Sequence, residues 1–600
     1  MSALIDEHHD YEQVGRALDA RLIRRLLPFA RPDGLVFLWG LLLLFVISGL
    51  ELVGPLLLRR AVDGPVAAAL DVRSAAELAS PLFGYALLFS GVLLAALFSR
   101  YAQFMLLNSA GQRVLHRIRQ AVFARLQRLP IAYFDRHATG RLVSRVTTDV
   151  ETLNELFTSG AVTLIGDLVK IVILLAVVFL IDPRLALLAV LSVPVLALAS
   201  AFFRIRARQA YRETRSAIAR VNSYLGETLA GVRVLKSFGR EDRASENFAL
   251  RNEQFLRTNL KTVFYFALFF PVVDAISLFI QGGVFWQGGI EILGGRLTVG
   301  QFLQFWLYLG FIFEPLRELA EKYNVLQSAM ASAERVFAVI DEPAEPEDGE
   351  QAEPVSELRG GIEFDNVSFC YGDGEPVLKQ ISFRVEPGET VALVGATGSG
   401  KTTITALLWR FYEPTSGRIL IDGRPVEAYR RRSLRGRMAY VPQDVFLFAG
   451  SVLDNLDLGN PEVTEERAVA SARALGADRF IQRFEGGFAH DLTERGANLS
   501  AGERQIISFA RALAADPAIL VLDEATASID PATERRIQAA TFKLLAGRTS
   551  IVVAHRLSTI RRADRILVLH KGEIREQGTH DQLIQAGGLY SVLHRLQFGS

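Results

Sequence analysis

Six long apolar segments in the first half of the chain constrain its fold more than any other feature. Each contains at most two charged residues. A helix of about 20 such residues, with a range of about 17–25, crosses the apolar core of a bilayer. One buried helix of a soluble protein could look like this, but a set of six could not. We therefore predict an α-helical membrane domain of six transmembrane helices within residues 35–340. The segments are 35–53, 82–107, 156–181, 185–203, 263–285 and 297–313.

The overall composition agrees with a membrane protein that also carries a soluble part. Of the 600 residues, 50% are hydrophobic and 22% are charged, against about 25% charged in soluble domains. The 66 Lys and Arg residues balance the 65 Asp and Glu residues, so the chain shows no basic footprint for nucleic acid. The single cysteine, Cys370, excludes an internal disulfide framework and a thiolate zinc cluster.

Positive charge is concentrated in alternate connections between the apolar segments. The connections 108–155 and 204–261 carry eight and thirteen Lys or Arg residues, whereas 182–184 and 286–296 carry one each. Cytoplasmic loops are enriched in Lys and Arg. We therefore expect a multi-pass protein of the cytoplasmic membrane that is surrounded by membrane lipid and has both termini on the cytoplasmic side.

The two basic connections are expected to be helical. Val114, Leu115, Ile118, Val122 and Leu126 recur at the spacing of one helix face. The second and third spans, and likewise the fourth and fifth, should therefore continue into the cytosol. Twenty extra residues would reach about 30 Å beyond the membrane.

Residues 1–34 are expected to form a cytoplasmic segment with a helix lying in the membrane interface. Leu18, Leu22 and Leu26 share one side of this helix, and arginines occupy the others, a pattern typical of interfacial helices. The alternative is a frayed leader.

The amino-acid composition changes after the membrane domain. Residues 341–358 contain eight acidic residues, three prolines and no basic residue, which predicts a solvated linker. Beyond it, short β-branched runs alternate with helical stretches, as in α/β domains. We therefore predict a second, α/β domain over residues 359–600.

A complete GxxxxGK[ST] motif marks the start of this second domain. It lies between a strand-like TVALV and a helix-like TTITALL. Its glycines let backbone N–H groups cradle phosphate oxygens. Lys401 can reach the β- and γ-phosphates, and Thr402 can ligate Mg²⁺, so the motif predicts that ATP binds with Mg²⁺. The predicted nucleotide-binding residues here are Gly395, Ala396, Thr397, Gly398, Ser399, Gly400, Lys401, Thr402 and Thr403.

A second candidate element is the strand-like run that ends in Asp523 and Glu524. Such a run usually means only a core strand. Here two carboxylates follow it, at the edge where open α/β sheets bind ligands. Asp523 is predicted to hold Mg²⁺, and Glu524 to orient or deprotonate the attacking water.

Three further motifs follow in order: LSAGERQ at 499–505, SID at 528–530 and VAHRLST at 553–559. Together with the phosphate loop and the Asp-Glu strand, they resemble the nucleotide-binding domain of ATP-binding-cassette (ABC) proteins. The resemblance extends from Leu358 to about His594. It implies that Tyr371 stacks on adenine, that Gln443 contacts Mg²⁺ and that His555 contacts the γ-phosphate. Taken singly, these three are ordinary surface or core residues.

The membrane half also resembles this family, in its exporter branch. Residues 129–149 and 227–241 are similar to the two intracellular loops of ABC exporters, which end in short helices pressing on the nucleotide-binding domains. Residues 493–496 are similar to an exporter-specific stretch that lies just before the family's signature motif, which corresponds to LSAGE in this chain. One membrane half with one cassette resembles a half-transporter, and the family requires two halves.

The signature departs from the family pattern. The usual LSGGQ is replaced by LSAGE, so Ala501 adds a methyl group and Glu503 a possible anion. In the family the signature acts in trans, on nucleotide bound by the partner half, which implies that Ser500 and Gly502 contact that nucleotide. Asp530 matches a loop that crosses to the partner, so the same role is implied for it.

The chain's own phosphate loop, Asp523, Glu524 and His555 follow the family pattern. Its own site is thus expected to be competent, while the site it completes for the partner is expected to be weaker. This asymmetry is typical of heterodimeric exporters, so we predict a non-identical partner. Harmless sequence drift in a homodimer is the alternative.

Charged residues inside the apolar segments are costly and often functional. Asp167 and Lys170, three residues apart, can pair with each other. Asp274 either faces a water-filled cavity or bonds to a neighbouring helix. The aromatic residues of the last two segments are assigned no substrate contact.

The resemblance implies an ATP hydrolase that exports hydrophobic or amphiphilic compounds, such as drugs, lipids or peptides, by alternating access. An ATP-gated channel or a regulatory membrane subunit on the same fold is the alternative. The intact Glu524 favours turnover.

Overall fold

The computed structural model describes residues 19–67, 75–372, 374–523, 531–554 and 556–598. Contacts divide the chain into two compact units. The first comprises the residues up to 127 together with 139–342, and the second comprises 128–138 together with 343–600.

The segment before residue 342 is almost entirely helical. The six apolar segments lie in helical structure, apart from Leu297 and Thr298, which precede the helix that begins at Val299. The third segment begins with a π-helical turn, Leu156–Gly160. In chain order the helices are α1 (Ala20–Ala30), α2 (Gly34–Ala61), α3 (Ala75–Leu126), α4 (Ile131–Arg136), α5 (Thr139–Val146), α6 (Thr148–Glu155), α7 (Ala161–Ile181), α8 (Pro183–Ala230), α9 (Val232–Ser237), α10 (Glu241–Leu293) and α11 (Val299–Asp341).

Several of these helices have the length and hydropathy needed to cross a bilayer. Within the described residues, three helical stretches qualify: Ala20–Val66, Ser80–Leu126 and Glu241–Leu293. Val299–Ile312 is a shorter apolar helical stretch. The number of six spans remains a prediction.

The predicted helical extension of the second span is confirmed. The apolar face that contains Val114, Ile118 and Val122 is buried within α3. Helix α3 has 52 residues and α10 has 53, far more than the ~20 that cross a bilayer.

The predicted N-terminal helix is present as α1. Asp19 caps it by accepting a hydrogen bond from the Arg21 N–H, and Leu26 is buried. Arg25 pairs with Asp341 at the end of α11, and its guanidinium lies 4.1 Å from the ring centre of Phe337. These contacts attach α1 to the last helix of the first unit, and its interfacial location stays a prediction.

The pairing expected between Asp167 and Lys170 is wrong. Asp167 pairs with Lys322, and the Lys170 Nζ lies 2.7 Å from a carboxylate oxygen of Glu51, which also pairs with Arg100. The partners come from other helices because packed helices place opposite charges within reach. Asp274 is exposed on α10.

The second unit contains a central six-stranded sheet, as the α/β prediction requires. Its order is β12-β11-β3-β10-β9-β6; β12 is antiparallel to β11, and the other neighbours are parallel. The strands are β1 (Ile362–Cys370), β2 (Pro376–Val385), β3 (Thr390–Gly395), β4 (Ser416–Ile421), β5 (Arg424–Pro425), β6 (Met438–Val441), β7 (Gly450–Ser451), β8 (Asp491–Leu492), β9 (Ile519–Asp523), β10 (Thr549–Val553), β11 (Arg565–His570) and β12 (Glu573–Gly578).

Two smaller sheets, helix α4 and ten further α-helices complete this unit among the described residues. An antiparallel sheet has the order β2-β1-β4-β5, and β7 pairs with β8. The helices are α12 (Lys401–Leu408), α13 (Arg431–Gly436), α14 (Val452–Asp457), α15 (Glu465–Ala474), α16 (Asp478–Ile481), α17 (Ala501–Ala514), α18 (Pro531–Leu545), α19 (Leu557–Arg562), α20 (His580–Ala586) and α21 (Leu589–Phe598).

The central strands are buried on both faces. Along β9, Leu520 and Leu522 enter one core cluster, while Ile519 and Val521 enter another. Parallel strands covered on both sides read as continuous runs of Ile, Leu and Val. Because β3, β6, β9 and β10 are parallel, their carboxyl ends share one edge of the sheet, where such folds bind ligands.

Residues 343–358 are mostly exposed, as expected of a solvated linker, but several of them bind the second unit. Val355 is buried, and Glu353 pairs with Arg424 at 3.1 Å. Glu345 pairs with Arg435 at 2.7 Å. The acidic residues bind arginines of the second unit, which composition within the linker alone cannot show.

Candidate nucleotide site

The predicted phosphate loop connects β3 to α12. Gly398 and Gly400 have φ angles of +79° and +103°, a region that disfavours side chains. A Cβ atom at Gly395 would overlap the Leu569 carbonyl oxygen, and one at Gly400 would overlap the Leu378 side chain. The loop therefore brings its backbone close to the end of the sheet, as a phosphate cradle requires.

A buried hydroxyl shows that the loop fits an anionic oxygen ligand. Ser399 is 4% exposed, and its Oγ has no hydrogen-bond partner among the described residues. Buried polar atoms in native proteins are nearly always satisfied. Ser399 also lies directly before the N-terminal turn of α12, where partial positive charge favours phosphate.

Lys401 lies in the same loop. Its Nζ donates hydrogen bonds to the carbonyl oxygens of Gly395 at 2.8 Å and Ala396 at 3.1 Å. Burial lowers the pKa of the Lys401 ammonium group, and the charge of Asp523 opposes that shift. The lysine of the loop and the acid at the end of β9 are therefore close enough to interact electrostatically.

The three predicted Mg²⁺ ligands lie at the carboxyl edge of the sheet. Asp523 is the last residue of β9 and is buried, and Thr402 lies in the first turn of α12. Strand β6 pairs with β9, and Gln443 follows two residues after β6, exposed. Carboxylate, hydroxyl and amide oxygens are ligands that Mg²⁺ accepts.

The Asp523 charge also reaches Tyr440, a residue that sequence reasoning missed. Burial, with a smaller contribution from Asp523, raises the pKa of Tyr440 to about 12. The phenol therefore stays neutral beside this carboxylate at physiological pH. No motif in the sequence points to this electrostatic interaction, because Tyr440 is an ordinary strand residue there.

Tyr371 is placed beside the phosphate-loop helix. Its hydroxyl is hydrogen-bonded to the Thr403 hydroxyl at 3.2 Å, and the side chain is 44% exposed. Its ring packs edge-on against Phe369 and Tyr412, with centroids 4.8 and 5.0 Å away. An exposed ring held in this way offers a surface on which a base can stack.

Tyr412 is a second residue that sequence reasoning missed. Its hydroxyl donates a hydrogen bond to Asp135 of α4, within the second unit. Burial, together with this bond, raises the pKa of Tyr412 above its ordinary value. The aromatic pair of Tyr371 and Tyr412 thereby connects α4 with the helix that follows the phosphate loop.

Three predicted residues lie outside the described part of the chain. Glu524 and Asp530 follow β9, and His555 follows β10. Their assigned roles remain predictions from the motifs.

Comparison with known proteins identifies both halves of the chain. Residues 37–316 match the ABC transporter transmembrane region, and residues 378–527 match the ABC transporter family. An uncharacterised ABC transporter ATP-binding protein of Bacillus subtilis, YfiC, is 36% identical over 602 residues, covering 99% of this chain and 97% of the relative. The chain belongs to the ABC transporters. It is a membrane-integral half-transporter that binds ATP and couples its hydrolysis to transport.

Other relatives have names that state what they carry. A fatty acid ABC transporter ATP-binding/permease protein of Mycobacterium tuberculosis is 40% identical over 502 residues, covering 84% of this chain and 79% of the relative. An ATP-dependent lipid A-core flippase of Desulfotalea psychrophila is 37% identical over 497 residues, covering 83% and 87%. Both are similar to this ABC transporter across the membrane and cassette domains.

The ABC signature of this chain begins α17. Ser500 is the N-cap, and it forms a reciprocal capping box with Glu503. Glu503 also accepts a hydrogen bond from Arg483 at 2.9 Å. The possible anion predicted from LSAGE is therefore a paired carboxylate.

Two further signature positions, Ala501 and Gly502, differ in their surroundings. Gly502 is buried, and a Cβ atom there would overlap the Thr533 side chain. Ala501 is exposed at the start of α17, so the methyl group that replaces a hydrogen is accommodated without repacking. The trans-acting role of this surface remains a prediction.

Proposed function

We propose that this half-transporter exports hydrophobic or amphiphilic compounds across the cytoplasmic membrane by alternating access. The observation that carries the proposal is the phosphate loop, with its buried Ser399 hydroxyl and Lys401, joined in one chain to long apolar helices. Relatives named for fatty acids and for lipid A-core support amphiphiles as the class of substrate.

A cavity in the first unit supports the same class. It has a volume of about 810 Å³ and is lined mainly by apolar side chains of α2, α3 and α11, within the ~300–1,000 Å³ typical of ligand pockets. The ion-paired Glu51 and Arg100 also line it. Apolar walls with one charged pair suit a molecule with a hydrocarbon part and a polar part.

The ATP site is proposed to work through the residues at the carboxyl edge of the sheet. Thr402, Asp523 and Gln443 would hold Mg²⁺, which neutralises charge that develops on the transferred phosphate. Glu524 would align and deprotonate the attacking water, and His555 would contact the γ-phosphate.

A second half-transporter is proposed to complete the dimeric transporter, and we favour a non-identical one. Ser500, Gly502 and Asp530 would contact nucleotide bound by that partner. Both termini and the cassette would lie in the cytoplasm, with the membrane domain within residues 35–340 and the cassette within 359–600. Nucleic acid is not proposed as a partner.

The decisive experiment is transport in sealed vesicles that contain the assembled complex. A fluorescent amphiphile, such as a labelled fatty acid, is offered with Mg-ATP. Export predicts accumulation against its gradient, and a matched complex carrying Lys401→Ala should not accumulate it. If ATP only speeds equilibration to equal concentrations, the channel alternative replaces the exporter.

A further inference from the structure

Glu345 of the acidic linker forms a two-point contact with Arg435 in the second unit. Its Oε1 accepts from Nη2 at 2.7 Å, and its Oε2 accepts from Nη1 at 3.3 Å. Two parallel N–H···O bonds between a guanidinium and a carboxylate fix orientation as well as distance. Both side chains are only partly exposed, so water screens this pair less than a surface pair.

The same arginine caps the carboxyl end of α12. Arg435 Nε donates to the Trp409 carbonyl at 3.2 Å, and Nη2 donates to the Arg410 carbonyl at 3.1 Å. Arg410 has a φ of +51°, which ends the helix. The last carbonyls of a helix lack intrahelical donors and attract cations. Arg435 therefore fixes the end of the helix whose first residue is Lys401.

Glu345 also has a backbone contact with the segment that carries α4. Its N–H donates to the Arg128 carbonyl at 2.7 Å. Asp341, the last residue of α11, lies only a few residues before it in the chain. Even fully extended, the chain from Asp341 to Glu345 reaches at most about 14 Å, so little slack separates α11 from Glu345.

We propose that Glu345 is a positioning residue that passes movement of α11 to the ATP site, through Arg435 and α12. Helix α12 has eight residues and is therefore about 12 Å long. A displacement of its carboxyl end moves Lys401 and Thr402 at the other end. Because such coupling is reciprocal, ATP binding in turn favours one position of the linker. The inference rests on the proposed function, since it concerns control of the same ATP site.

The linker has other attachments through Arg431, whose Nε also lies 3.6 Å from a carboxylate oxygen of Glu345. The Arg431 N–H donates to the Asp348 carboxylate at 3.0 Å, and its guanidinium donates to the Pro346 carbonyl. A variant at Glu345 should therefore loosen the contact with α12 without detaching the linker.

The test compares Glu345→Gln with Glu350→Gln in the assembled full-length complex. Glu350 is exposed in the same linker and forms no ion pair among the described residues, so it is a matched control for the lost charge. Glu345→Gln should raise the KM for ATP about three- to tenfold, as expected for weakening one charge-assisted contact. It should also at least halve the stimulation of ATPase activity by transported substrate. Glu350→Gln should leave both quantities at the wild-type value.

A second variant separates coupling from general stability. Arg435→Lys keeps the positive charge but cannot form the two parallel hydrogen bonds to Glu345. It should likewise raise the KM for ATP and reduce the stimulation of ATPase activity by substrate. The losses in the double variant should be less than additive, because both changes break the contact between Glu345 and Arg435, whereas the contact of Glu345 with Arg431 is affected only by the change at Glu345. Strictly additive losses, or wild-type KM and stimulation in whichever single variant assembles, would overturn the inference. A wild-type complex without ATPase activity would overturn the proposed function instead.

Discussion

Arg483 binds the Glu503 carboxylate at the start of the signature helix, with Nη2 and Oε1 2.9 Å apart. The other oxygen, Oε2, accepts from the N–H and the hydroxyl of Ser500 at 3.0 and 2.8 Å. Both oxygens therefore have partners. The acidic residue does not place a free anion at the surface proposed to face the partner's nucleotide, so the predicted weakness of that site depends mainly on Ala501.

Removing Arg483 should expose this charge. We expect Arg483→Ala to raise the KM for ATP of the complex several-fold, because an unpaired carboxylate near a phosphate repels it. Adding Glu503→Gln to the same chain should restore most of the loss. The measurement is steady-state ATPase kinetics, with Arg479→Ala as a control that removes an exposed arginine from α16, the helix just before Arg483. A loss that Glu503→Gln does not repair would contradict the electrostatic explanation.

Ser399 should matter for nucleotide and not for folding. Its buried hydroxyl has no partner among the described residues, so Ser399→Ala should not lower thermal stability without nucleotide. ATP binding should weaken by about 1.5–3 kcal/mol, the size of a hydrogen bond to a charged group. Calorimetric titration and a melting curve measure the two effects.

Thr405→Val provides the opposite case in α12, the helix that follows Ser399. The Thr405 hydroxyl donates to the Thr402 carbonyl at 2.8 Å, so this change should lower stability by about 1 kcal/mol. If Ser399→Ala is the more destabilising of the two, the hydroxyl serves the fold and not the ligand.

Glu524→Gln should separate ATP binding from hydrolysis. The amide keeps the shape of the side chain but cannot act as a base, so turnover should fall by ~10²–10⁴-fold if the partner site is weak. ATP should remain bound in a trapped state. Retention of about half the activity would mean that the partner site hydrolyses normally, and near-wild-type turnover would refute the base assignment.

Purification through a tag on this chain should recover a second polypeptide of similar size. The expectation follows from an intact phosphate loop combined with the altered signature. Mass spectrometry of the membrane-extracted complex identifies the second chain. A stable and fully active homodimer would show that Ala501 and Glu503 are tolerated in a symmetric assembly.

Sequence reasoning succeeded where the signal is contiguous or periodic. The phosphate loop is read from one short stretch, and the buried face of α3 from repeated spacing. It failed where partners are distant in the chain. Proximity in the chain favours Lys170 as the partner of Asp167, but the cation that Asp167 binds is Lys322, 155 residues away.

The ion pairs of the acidic linker could not be predicted for the same reason. The linker contains no basic residue, and Arg435, which binds Glu345, lies 90 residues further along the chain. Tyr412 could not be found from sequence because its role depends on Asp135, 277 residues earlier. Local sequence patterns predict helices, strands and short motifs, whereas hydrogen bonds and ion pairs between distant segments depend on the fold.

The contact between Arg25 and Asp341 has a consequence for synthesis of the chain. The two residues are separated by 316 positions, and ribosomes add about 5–20 residues per second. Helix α1 therefore waits roughly 15–60 s for its partner after it emerges. During that interval its arginine is available to other acids or to anionic lipid, so this helix is made early but is among the last of the described elements to reach its final place.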